Sequence, residues 1–266
     1  TAAGLTSVQQ EPIFGLPRGI PVVAGSLDHH IAAVGAGVEG LAPGSVSLGT
    51  VACFLRYTAA FDPKPGCCLG AAIPPARYYQ FAFSANGAAM LSEYVRKYGG
   101  GMSFEDITES ARCVPPGSDG LLALSASRRR KGGDAFHGVS PRHGHGHFSR
   151  ALMELTAATI WDLRDTLFGE EAVSRVILTG GGAANDVWCQ MIADMLNTDI
   201  LVSSFEEPAC AGAAMLAGTG AGWFNDVTSA QKAWVRPRRT FSRETDIHIK
   251  YEEWRRDRDR QSKDSS

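Results

Sequence analysis

The chain has 266 residues, 44% of them hydrophobic and 20% charged, with a formal net charge of −2. That is the balance of a soluble globular protein with ample material for a core, and it gives no ground for a nucleic-acid or membrane partner. No apolar run approaches the roughly 18 residues that cross a bilayer, and no charged-then-apolar leader opens the chain, so a cytoplasmic address is expected.

Thr1 in place of Met leads us to expect a processed form or a piece of a longer protein. Residues 1–19 are short and polar, the tail of something, and end in GLPRG. GIPVVAG then predicts a buried strand, and Asp28–Gly35 a helix of small residues. After the turn LAPG, SVSLGT and VACFLRY read as a tight strand pair and RYYQFAFSA as a third strand. NGAAMLSEYVRKYGG predicts a helix closed by glycines, with a second helix over 103–112. GLLALSA is a short strand, 125–146 a basic, glycine-rich loop, and HFSRALMELTAATIWDLRDTLFG the longest helix. RVILTGGG, NDVWCQMIADMLN, DILVSS and ACAGAAMLAGTGAGWF complete a strand–helix–strand–helix run. The charged end of the chain predicts a frayed tail. An antiparallel start followed by βαβ units implies a mixed sheet with helices on both faces, the order of a ribonuclease-H-like (actin-like ATPase) α/β domain.

The six cysteines, Cys53, Cys67, Cys68, Cys113, Cys189 and Cys210, make no CxxC pair. They predict buried free thiols in a reducing compartment, not a disulfide frame or a zinc site.

Several short stretches carry chemistry. Asp28 opens a helix, where an acid caps free N–H groups; it also follows a strand and a glycine, where a ligand can come close. SLGT (47–50) is either a plain hairpin turn or a turn that offers donors to a phosphate. TGGGAAND (179–186) follows a strand and opens a helix; its glycines allow close helix–sheet packing or an anion at the helix start, though it lacks the Lys of a P-loop. RRRK (128–131) reads as a solvated loop. HGHGH (143–147) invites a metal reading through His143, His145 and His147, but no acid or Cys follows at ligand spacing. His29 and His30 either contact a substrate or pack. No G-x-S-x-G elbow supports acyl transfer.

In order along the chain, GLPRGIPVVAGSLDHHIAAVGAGV, GSVSLGT, FSANGAAM, FHGVSPRHGHGHFSRALMELTA, VILTGGGAANDVWCQMIADMLN and EEPACAGAAMLAGTGAGWF resemble the C-terminal half of the FGGY carbohydrate kinases. The resemblance spans about residues 10–240. It implies ATP and Mg2+ as cofactors, a sugar or polyol substrate, an N-terminal kinase domain as the missing partner, and pairing as a homodimer. It implies that Asp28 is the catalytic base taking the proton from the sugar hydroxyl and that His29 lies at the substrate. It implies that Gly49 and Thr50 face the ATP phosphates, and that Gly87, Gly181, Gly182, Ala183 and Asn185 contact the nucleotide. No metal ligand is assigned. The implied domains are 1–40, the end of the N-terminal kinase domain; 41–245, the ATP-binding domain; and 246–266, the charged tail.

The chain departs from the family pattern in three places. No Asp-x-Gly-Thr loop precedes Asp28, SASRRRKG replaces the usual Gly-Glu-Arg-x-Pro segment, and His29 stands where many relatives carry Asn or Gln. A non-catalytic actin-like nucleotide-binding module, a degenerate kinase, is the alternative function.

Overall fold

In the computed structural model the described residues are 5–8, 15–73, 76–125 and 135–264, so the basic run at 128–131 lies outside them. β1 (Leu5–Val8) and β2 (Pro21–Val23) form a two-stranded antiparallel ribbon. The sequence predicts a buried strand at β2. Instead Pro21 and Val22 are exposed, because the ribbon stands apart from the main sheet. α1 (Asp28–Ala36) follows, then β3 (Gly44–Leu48), β4 (Ala52–Thr58), β5 (Cys68–Ala71) and β6 (Tyr78–Ser84). α2 (Ala89–Tyr98) and α3 (Phe104–Glu109) come next, α3 started by a Ser103–Asp106 capping box. A small pair, β7 (Leu122–Ala123) and β8 (Phe136–His137), precedes α4 (His145–Phe168). The chain then runs through β9 (Arg175–Thr179), α5 (Asp186–Leu196), β10 (Asp199–Ser203) and α6 (Pro208–Gly220). It ends with α7 (Val227–Trp234), β11 (Pro237–Phe241) and α8 (Thr245–Asp264).

Seven strands make one mixed sheet in the order β11-β10-β9-β3-β4-β6-β5. β3, β9 and β10 are parallel neighbours; β4, β6, β5 and β11 pair antiparallel. Side chains alternate between the faces of a strand. Val46, Leu48, Phe54, Val176, Leu178, Ile200 and Val202 therefore enter one core with α4 and α5, while Cys53, Leu55, Ile177 and Leu201 enter the other with α1. Burial on both faces explains the unbroken apolar run of β9.

α1 and α6 cross at two glycines. A methyl group on Gly35 would overlap the Pro208 carbonyl, and one on Gly212 would overlap the Ile31 carbonyl. Gln231 of α7 closes the same junction, its Nε2 donating to the carbonyls of Val34 at 2.8 Å and Val38 at 3.3 Å.

The end of the chain differs from its expected frayed state. Tyr251 of α8 is fully buried, and its hydroxyl accepts from Arg150 Nη2 at 2.7 Å and donates to Glu154 Oε1 at 3.3 Å. Glu154, also fully buried, takes further bonds from Arg150 Nε, the Gly117 N–H and the Ser118 hydroxyl. Burial pushes its carboxyl upward against the pull of Arg150. Arg255 pairs with Asp162 and Asp165 and lies 4.3 Å from the centre of the Trp161 ring. Arg255, one of the charges that suggested fraying, is thus a group that docks α8 on α4.

The thiols also depart from expectation. Cys53 and Cys189 are buried, but Cys68, Cys113 and Cys210 are exposed and Cys67 is half-buried; all are free. No helix among the described residues is long and apolar enough to cross a membrane.

Candidate active site

Two glycine turns meet at the carboxyl ends of β3 and β9. They open a cleft of about 860 Å³ lined by Leu48, Gly49, Thr50, Gly181 and Gly182, by Ala88 just before α2, by Ala89, Ser92, Glu93 and Arg96 of α2, and by Phe104 of α3. Its volume lies in the range of about 300–1,000 Å³ that suits a small-molecule ligand.

Each turn is built for close approach. Gly180 holds φ at +86°, and a Cβ there would press on the Leu48 backbone, so the β9 turn lies directly against the β3 turn. Gly181 has nothing within 4 Å of where its Cβ would stand, which leaves an open patch of backbone on the cleft wall. The Gly49 N–H donates to the Val51 carbonyl at 3.1 Å and its carbonyl accepts from the Ala88 N–H at 2.8 Å. Gly49 therefore shapes the turn with both of its polar groups, and Thr50 is the exposed residue of the pair. Gly87 is buried behind the turn: a Cβ there would stand 2.5 Å from the Thr50 carbonyl oxygen. It lets α2 abut the turn and does not itself line the cleft.

Ala183 and Asn185 lie beyond the lining. The Ala183 carbonyl accepts from Arg239 Nη2 at 2.6 Å. Asn185 caps α5, its Oδ1 accepting from the Trp188 N–H at 2.9 Å while its Nδ2 donates to Thr108 Oγ1 at 2.7 Å. Arg239 also forms an ion pair with Asp186, so β11 clamps the β9 turn from behind. Arg239, Arg96 and Phe104 were not singled out from the sequence. Arg96 and Ser92 sit four residues apart on one helix face, a usable signal; Arg239 reaches the turn across 56 residues and leaves no local trace.

Asp28 stands at the start of α1 and is exposed. It occupies the first helical position, and Leu27 is the residue before the helix. Its carboxylate accepts from the His29 N–H at 2.7 Å, so it satisfies a free amide of the first turn without being the cap residue. It lines a shallow depression of about 340 Å³ with Gly25, Ser26 and the α6 residues Ala209, Ala213 and Ala217. His29 turns toward the sheet, its ring 5.6 Å from Phe81, beside Ser47 and Thr179. Those two residues lead directly into the two glycine turns, which places the start of α1 at the same end of the sheet. His30 is fully buried and serves structure: its Nε2 accepts from the Ile73 N–H at 3.4 Å, leaving Nδ1–H to donate to Ser26 Oγ at 2.8 Å. Burial lowers its pKa to about 4.

The HGHGH histidines are occupied by local bonds. His143 Nδ1 accepts from the Ser140 N–H, His147 Nδ1 accepts from the Gly144 N–H, and His145 Nδ1 lies 2.9 Å from the Tyr94 hydroxyl. Among the described residues no group of three or more His, Cys, Asp or Glu is placed to hold a metal ion.

The model of the C-terminal domain of the FGGY family of carbohydrate kinases matches residues 44–221, the segment that carries both glycine turns and α6. The chain belongs to the FGGY family of carbohydrate kinases. It is 30% identical over 237 residues to a xylulose kinase of Lactococcus lactis, covering 84% of this chain and 46% of that protein. It is also 30% identical over 230 residues to an L-fuculokinase of Escherichia coli, covering 82% of this chain and 48% of that one. A ligand-bound xylulose kinase from Lactobacillus acidophilus superposes with a TM-score of 0.81 at 18% identity, covering 95% of this chain and 54% of that one. This FGGY chain has the actin-like ATPase fold and spans about half the length of the curated relatives it matches.

Proposed function

We propose that the chain is the ATP-binding half of a carbohydrate kinase and carries the base of that reaction on Asp28. The observation that carries this reading is the cleft itself. Its walls are two strand-end glycine turns and a helix start, with an open backbone patch at Gly181 and a cation at Arg96. A planar base can lie along the Gly181–Gly182 turn while the phosphates reach the exposed Thr50 of the other turn.

In the transfer, Asp28 takes the proton of an acceptor hydroxyl as that oxygen attacks the γ-phosphate. Its exposed carboxylate at the mouth of a depression supports this role, since a substrate can reach it without displacing protein. Phosphoryl transfer depends on positioning and charge stabilisation more than on covalent chemistry. Mg2+ bound to the triphosphate would supply charge neutralisation. The acceptor is a sugar or polyol, and the missing wall of its site is an N-terminal kinase half, which closes over the substrate in a two-domain enzyme. On its own the chain binds nucleotide weakly and turns over no sugar well.

The test joins the chain to an N-terminal kinase half and assays ATP consumption against ketoses, polyols and sugar acids. At least one acceptor is expected to be phosphorylated, with Asp28→Asn lowering kcat by about 10²–10⁴-fold. If no acceptor works and Asp28→Asn changes nothing, the chain is a non-catalytic nucleotide-binding module.

A further inference from the structure

Two exposed side chains line the cleft between the glycine turns without a partner of their own. Among the described residues Arg96 has no hydrogen-bond or ion-pair partner, and Phe104, 38% exposed, meets no other ring. The one acid of the lining, Glu93, is already engaged by Lys97 at 2.6 Å, so Arg96 is an unmatched cation on an open wall.

The local fold explains where both stand. Ala88, Ala89, Ser92, Glu93 and Arg96 turn into the cleft along one side of α2. The Ala88 N–H is bonded to the Gly49 carbonyl at 2.8 Å, so α2 sets out from the Gly49–Thr50 turn. Helical rise then carries Arg96 about 12 Å along the axis from Ala88, to the other end of the cleft. Gly100 and Gly101, at φ of +59° and +93°, reverse the chain, and the Ser103–Asp106 box starts α3 with Phe104 as its first residue. One turn further on, Thr108 Oγ1 accepts from Asn185 Nδ2 at 2.7 Å, which ties α3 to the segment that follows the Gly181–Gly182 turn.

Building on the nucleotide reading of this cleft, we propose that Phe104 and Arg96 form its nucleobase end. The base lies between the Phe104 ring and the bare backbone of the Gly181–Gly182 turn, and Arg96 donates to an acceptor on the edge of the base. An aromatic side chain stacks on any base, and a turn without side chains offers a flat second face. Arg can only donate, and a purine presents ring acceptors at its edge. The length of α2 keeps this guanidinium apart from phosphates held at Thr50.

The test is titration of ATP into the 266-residue chain, followed by the NMR signals of the nucleotide itself. The adenine ring protons are expected to move upfield on binding, as they do beneath an aromatic ring. That shift should vanish in Phe104→Leu, which keeps the apolar bulk at the start of α3, and persist in Phe104→Tyr. ATP affinity should fall about tenfold in each of Phe104→Leu and Arg96→Gln. The phosphorus signals at saturation should stay those of the parent complex in both. The inference alone is overturned if the parent binds ATP and both variants bind it equally well. It is also overturned if Arg96→Gln alters the phosphorus signals and leaves the adenine signals unchanged, which would make Arg96 a phosphate contact. No ATP binding by the parent overturns the nucleotide reading itself, and this inference with it.

Discussion

Three residues show how single side chains set this site. Asp28 is an exposed acid with one local bond and is not tied into the core, which is what the base role proposed for it requires. His30, two residues on, anchors the same helix start through Ser26 and Ile73, and only its neutral form can accept from the Ile73 N–H. Its pKa of about 4 in the folded chain, against about 6.5 unfolded, means that the unfolded state binds more protons between those values. The stability it contributes is present above the unfolded value and is lost as pH falls toward 4, amounting to about 2 kcal/mol at pH 5. Melting curves from pH 7 to 5 should show this loss, and His30→Gln should flatten it; equal slopes for both proteins would contradict the assignment. Arg239 acts at a distance by holding the Ala183 carbonyl and Asp186. Arg239→Met should weaken ATP binding about tenfold, the worth of one charged hydrogen bond, and Arg239→Lys should restore only part of it because an ammonium lacks the planar fork. Unchanged ATP affinity in Arg239→Met would show that the turn holds without the clamp.

At the scale of elements, the α1–α6 crossing and the docking of α8 are the two junctions on which the site depends. Backbone meets backbone at Gly35 and Gly212, so neither neighbour can swing aside. Gly35→Ala and Gly212→Ala should each lower stability by about 1–3 kcal/mol or more, read from denaturant midpoints, since an added methyl must push two helices apart. Tyr251→Phe should cost about 1–3 kcal/mol by removing a hydroxyl that serves both Arg150 and Glu154 in the core. A Tyr251→Phe midpoint equal to the parent's would mean that α8 is not docked as described. These junctions also show where sequence reading stops. The strands and helices from β3 to α6 follow from alternation and helical spacing within each segment. β5 and β11 sit at the sheet edges, and the β11 sequence PRRTF puts a proline and two arginines where an interior strand would be apolar. α8 looks solvated because its partners Arg150 and Glu154 lie about 100 residues away.

For the whole molecule, a seven-stranded sheet carries a nucleotide-sized cleft and an accessible acid at one end. The glycine turns and Asp28 were legible because each sits at a strand-to-helix or strand-to-strand junction, where residue type and backbone need coincide. The side chains of α2 and α3 that complete the cleft were not, because packing across the fold decides which helix face turns inward. The central claim is that this cleft binds ATP, and titration of ATP into the 266-residue chain and its Gly181→Val variant tests it most directly. Nothing lies within 4 Å of a Cβ at Gly181, so the valine should project from the cleft wall, where the proposed base lies, without disturbing the fold. The account predicts weak one-to-one ATP binding by the parent chain and its loss in the variant. No ATP binding by the parent, or equal binding by both, would contradict it.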